Sequence, residues 1–136
     1  MRKFLFVIFL VSAIACNKDD DPDKFTSIQG YWIVRTPDNL TEITFRIAVN
    51  SDNEQVVDAV SMKHNGSDYN KAPIGAEIAL LSPTEIEYIS FRTNDFVIRF
   101  WTISVNADFT TMEIANSSFV IDQNFREFSM INASRN

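Results

Sequence analysis

Leu40-Thr41-Glu42-Ile43-Thr44-Phe45-Arg46-Ile47-Ala48-Val49-Asn50 decides how this chain folds. Ile43, Phe45, Ile47 and Val49 fall on one side of an extended backbone, and Thr44, Arg46, Ala48 and Asn50 on the other. Side chains of a strand alternate between faces, so the stretch is a strand with one buried face. A helix would need its apolar residues three and four apart. Ser51-Asp52-Asn53 then supplies turn chemistry. A second run at 56–64 ends on Asn65-Gly66, a dipeptide suited to tight hairpins because it accepts positive φ.

The same pattern continues in both directions. Residues 31–36 form a strand, and 85–92 and 96–105 form a pair around Thr93-Asn94-Asp95. Shorter runs at 110–115, 118–122 and 125–131 follow, and 132–136 reads as a frayed tail. Residues 67–83 are ambiguous. Within them, 68–71 extends a strand, Pro73 and Gly75 punctuate a loop, and 76–81 fits a helical turn or a short strand. About eight strands, spaced by roughly 10–13 residues, predict an all-β domain: a single antiparallel barrel or, as the alternative, a β-sandwich. Phe96, Ile98 and Phe100 alternate with Val97, Trp101 and Ile103, which predicts a strand covered on both faces.

Composition narrows the function. The 136 residues carry 12 Lys+Arg and 18 Asp+Glu, a formal charge of −6. That balance argues against nucleic acid, whose phosphates demand basic residues. One Cys and one His leave no structural zinc cluster and no intrachain disulfide, and three glycines make no phosphate cradle. No cofactor is expected.

The first sixteen residues are a different kind of sequence. Met1-Arg2-Lys3 is cationic, 4–15 is apolar apart from Ser12, and Ala13-Ile14-Ala15-Cys16 closes the segment with small residues and the lone Cys. Twelve helical residues span roughly 18 Å, too short to cross a bilayer core of about 30 Å. Basic, apolar, small is the order of a signal peptide. With Cys16 at its end, the segment resembles a bacterial lipoprotein signal. That resemblance implies cleavage before Cys16 and palmitate-type acyl chains on it, with Ala13 standing where Leu is usual. Two or three chains would anchor the protein where one binds only marginally. Asn17-Lys18-Asp19-Asp20-Asp21-Pro22-Asp23-Lys24 follows, and it resembles the surface-export signal of Bacteroidetes lipoproteins. The expected organisation is a signal peptide at 1–15, a lipidated Cys16 with an acidic tether at 16–26, and an antiparallel β domain at 27–136. The expected location is the outer membrane, lipid-anchored and surface-exposed.

Gly30-Tyr31-Trp32 at the head of the first strand resembles the Gly-x-Trp that opens lipocalin-like β-barrels. The resemblance implies that Trp32 plugs one barrel end beneath an Arg of the last strand, for which Arg126 is the candidate. Arg99 and Trp101 share a strand face, with Phe91 on the partner strand. Pointing inward, they would make an amphipathic ligand wall; pointing outward, a patch for a protein or a carbohydrate.

Catalytic constellations are weak. His64 lies near Asp58, Ser61 and Asp68, but residues this close on one strand alternate faces. Glu85 and Glu87 sit side by side on one strand rather than across a cleft. Asp19-x-Asp21-x-Asp23 begins like a calcium loop but lacks the required Gly and Glu. No enzyme and no metal site are expected. The sequence therefore predicts an envelope lipoprotein with a lipocalin-like domain binding a small apolar or amphipathic molecule. The alternative is a β-sandwich subunit of a surface complex that binds protein or glycan.

Overall fold

Alternating apolar residues with turn residues between them leave the chain only strands and tight turns to form, and both are observed. The computed structural model describes residues 25–70 and 73–136. Nine strands follow one another: β1 (Gly30–Arg35), β2 (Thr41–Val49), β3 (Gln55–His64), β4 (Ser67–Asn70), β5 (Gly75–Ser82), β6 (Glu85–Arg92), β7 (Phe96–Val105), β8 (Thr111–Ile121) and β9 (Asn124–Arg135). They form one antiparallel sheet in the order β4-β3-β2-β1-β9-β8-β7-β6-β5, curled into a half-barrel. The signal peptide expected at 1–15, the expected lipidation site Cys16 and the expected tether up to residue 24 lie outside the described residues.

Turn chemistry sets the registers. Asn65 and Gly66 both take positive φ, 48° and 83°, so β3 returns into β4 with His64 opposite Ser67. Asp122 and Gln123 do the same between β8 and β9, without a glycine. The ambiguous 76–81 stretch is strand, as part of β5. The separate runs expected at 110–115 and 118–122 are one strand, β8.

The expected double apolar face of β7 is not what forms. Phe96, Ile98 and Phe100 point inward, Trp101 and Thr102 both point out, and Ile103 and Val105 point inward again. The alternation resets because Thr102 takes a φ of 55°. Its neighbours reset at the same level. Inward residues step from Ile86 to Ile89 in β6, from Ile114 to Ser117 in β8, and from Phe128 to Ile131 in β9, where Met130 has a φ of 53°. Each strand carries one extra residue on the same row, so the ladders stay in register across the kink.

The inner face is filled with aromatic rings. Phe45, Phe91, Phe100, Phe119 and Phe128 form a connected cluster with centroids 5.5–6.0 Å apart. These are favourable separations for tilted and edge-to-face pairs. Around the ring row sit Ile43, Ile47, Met62, Ile89, Ile98 and Ile114, all buried.

The sheet has two ends in space. β3 and β5 approach one another across the gap without a ladder between them. Strand direction alternates along the sheet, so β3 and β5 run antiparallel, while β4 and β5 run parallel. The short β4 sits outside that approach, and Tyr69 on it reaches the opposite wall: its ring meets Phe96 edge-on at 6.3 Å, and its hydroxyl donates to Asp122 at 2.6 Å.

Candidate functional site

Two ends and one outer wall carry the chemistry. At the end where β1 begins and β9 finishes, Trp32 is fully buried, and its indole N–H donates to the Ile28 carbonyl at 2.8 Å. The guanidinium over its ring, 4.4 Å from the centroid, belongs to Arg135. The pairing of Trp32 with Arg126 is thus corrected: Arg126 lies near the start of β9, at the opposite end of the wall. Arg135 is sandwiched between Trp32 and Phe25, and donates to the carbonyls of Ser27, Gln29 and Phe109. Burial lowers its pKa from the usual guanidinium value. Gly30 makes this possible. It has a φ of 126°, and a Cβ on it would lie only 2.5 Å from an Arg135 nitrogen. The tail expected to fray is therefore strand as far as Arg135, clamped at both backbone and side chain.

At the other end, Arg126 stacks over Phe128 at 5.0 Å, donates to Thr41 Oγ1 at 2.7 Å and pairs with Asp38. The Thr36 hydroxyl donates to Asp38 at 2.7 Å. That bond first, and then Arg126, hold the Asp38 carboxyl down at about 2. Thr41 Oγ1 lies 2.8 Å from His64 Nδ1. Asp58 belongs to another group altogether: it pairs with Arg46, which lowers its pKa. His64, Asp58 and Ser61 are not brought together as a catalytic set.

On the outer wall, the kink row places Tyr88 directly opposite Trp101, and Trp101 opposite Asn116. Trp101 is 38% exposed, more than is usual for so large an apolar side chain. Arg99 and Arg92 stand exposed on the same face, with Ser90 and Glu77 beside them. Together they line a groove of about 560 Å³ across β5, β6 and β7. Tyr88 donates its hydroxyl to Glu77 at 3.1 Å, and that carboxylate raises the phenol's pKa. Of the expected ligand set, Arg99 and Trp101 share this outward face. Phe91 is corrected: its ring points the other way, into the core cluster.

Sequence reading missed Tyr88, Arg92 and Glu77. Each becomes a neighbour of Trp101 or Arg99 only through the registers of β5, β6 and β7. Two other open grooves exist. One, about 490 Å³, mixes Arg35, Glu113 and Asn132 with Val105 and Met112; the other, about 360 Å³, is apolar and includes Ile28, Leu80, Leu81 and Phe109. Among the described residues, no three His, Cys, Asp or Glu side chains converge as metal ligands, and no helix is long and apolar enough to cross a membrane.

No protein-family model, curated protein or solved structure matches this chain.

Proposed function

We propose that this chain is a lipid-anchored binding module of the bacterial outer membrane, displaying a surface-exposed ligand groove on the outer wall of a lipocalin-like half-barrel. The observation that carries the reading is Trp101, exposed beside Tyr88 over the groove of about 560 Å³. The uncovered part of a large ring gains burial only when a ligand covers it. Two adjacent rings with guanidinium and carboxylate groups around them suit an amphipathic partner with flat apolar faces and polar edges. A carbohydrate has that character.

An apolar molecule held inside the wall is the weaker reading, because five phenylalanine rings occupy that space. The lipocalin-like reading draws support from the Gly30–Trp32–Arg135 plug, and from the antiparallel approach of β3 and β5 across the gap. Anchoring through Cys16 rests on the sequence of residues 1–16. No catalytic role is assigned: among the described residues, no nucleophile and base with matched roles meet.

Binding is tested with the purified protein against immobilised polysaccharides, reading retardation and tryptophan fluorescence. Trp101→Ala is expected to abolish retention while leaving the far-ultraviolet spectrum unchanged. Retention that survives the substitution removes the outer groove from consideration.

A further inference from the structure

We infer that the groove on β5, β6 and β7 selects ligands bearing an oxyanion, and that its occupant is an acidic carbohydrate carrying carboxylate or sulfate groups. This rests on the outer-groove reading above and goes beyond it in naming the ligand's charge.

The argument begins with how this acidic chain uses its arginines. Four of the six described arginines are satisfied: Arg35 by Glu42, Arg46 by Asp58, Arg126 by Asp38 and Thr41, and Arg135 by three carbonyls. The guanidinium groups of Arg92 and Arg99 have no hydrogen bond, ion pair or ring partner among the described residues. They are also neighbours. Arg92 opposes Val97 and Arg99 opposes Ser90, so the two arginines are diagonal across β6 and β7, with Cβ atoms roughly 7–8 Å apart. Like charges at that spacing repel. In a chain with 18 acidic residues against 12 basic ones, an uncompensated pair is an unusual arrangement.

One carboxylate lines the groove with the pair, Glu77, diagonal to Arg92 across β5 and β6; it accepts from the Tyr88 hydroxyl and forms no ion pair with either arginine, so two guanidinium groups stand against one carboxylate. Gly75 opposes Arg92, and a Cβ added there would lie 3.9 Å from its Nη2, so the guanidinium lies across a position with no side chain. Both guanidinium forks thus lie to one side of the Trp101–Tyr88 row, Arg99 in the next row and Arg92 in the row after it. Such forks bind carboxylate, sulfate or phosphate in bidentate fashion. A sugar ring can lay its apolar face on Trp101 while its acid group meets Arg99 in the neighbouring row, and the acid group of a following residue of the same polysaccharide reaches Arg92. An acidic peptide such as poly-glutamate carries the charge but has no flat ring to lay on Trp101, which is what favours a carbohydrate here.

The test uses the full-length protein in detergent with polygalacturonate, fully methyl-esterified polygalacturonate, dextran sulfate and poly-glutamate as probes, at physiological salt. The expected result is binding of polygalacturonate or dextran sulfate, at least tenfold weaker binding of the methyl ester, and weak binding of poly-glutamate. Arg92→Gln and Arg99→Gln are each expected to cost tenfold or more. Arg99→Lys is expected to recover only part of the loss, because it keeps the charge without the fork. If the ester binds as tightly as the acid and both Gln variants are silent, while Trp101→Ala still abolishes binding, the groove stands and its charge selectivity falls. Poly-glutamate bound as tightly as the polysaccharides overturns the carbohydrate assignment. If none of the four probes binds, or Trp101→Ala changes nothing, both the inference and the groove fall.

Discussion

Arg135 shows how much one side chain can organise. It satisfies three carbonyls, two of them in partly buried hydrogen bonds, and lies between two aromatic faces, so its removal costs those bonds as well as both ring contacts. Arg135→Ala is expected to lower unfolding free energy by about 2–4 kcal/mol in urea titration. Gly30→Ala is expected to approach the same loss, since its methyl would displace the guanidinium. Asp38 makes a different prediction, one of pH. Its carboxyl titrates at about 2, held below its ordinary 3.8 by the Thr36 hydroxyl and then by Arg126. A depressed folded-state value means the stabilisation is present above about pH 4 and is lost as pH falls toward 2. The urea midpoint of the parent should therefore drop between pH 5 and 2.5 by more than that of Asp38→Asn. Legibility at this scale was uneven. Trp32 and Gly30 stood out as a pair, but two arginines lie on the last strand, Arg126 and Arg135. Only the register of β1 with β9, Trp32 opposite Arg135, decides between them.

Strand periodicity was the readable part of the sequence, because alternation of side chains follows from backbone geometry alone. β2 and β3 appear almost where their patterns put them. The kink row was not readable. A reset of alternation is usually signalled by glycine, yet here Thr102 and Met130 take positive φ, and β7 therefore read as apolar on both sides. A β-branched residue at such an angle is strained, by roughly 1–3 kcal/mol. Thr102→Gly is expected to raise stability by about 1 kcal/mol, the relief offset in part by added chain entropy, with a higher melting temperature as the readout. If the melting temperature falls instead, the Thr102 side chain contributes more than its backbone costs. Phe100, which meets Phe45, Phe91 and Phe119, belongs to the opposite class. Phe100→Ala is expected to cost about 3–5 kcal/mol, because the surrounding rings cannot collapse into the void.

Seen whole, the molecule is a wall whose strength lies opposite its gap. β5 borders only β6, and much of β3 faces β5 without a ladder, whereas β8 and β9 are long and paired on both sides. Amide hydrogen exchange should accordingly be fastest along β4 and β5 and slowest in β8, with β1 and β9 exchanging as one unit. Uniform protection would mean that the β3 and β5 edges bond more fully than the ladders indicate. The proposed attachment is tested on the whole protein. Cys16→Ser is expected to move the protein from the detergent phase to the aqueous phase in cell fractionation, with the groove's binding unchanged. The marriage of β1 to β9 has a further consequence for biosynthesis. Trp32 precedes its partner Arg135 by about a hundred residues, and until that last strand arrives the first hairpin has an open flank. Folding of the wall must therefore wait for nearly all of this chain to emerge. A polypeptide interrupted anywhere before residue 135 would be left unsealed, sticky and exposed to proteases.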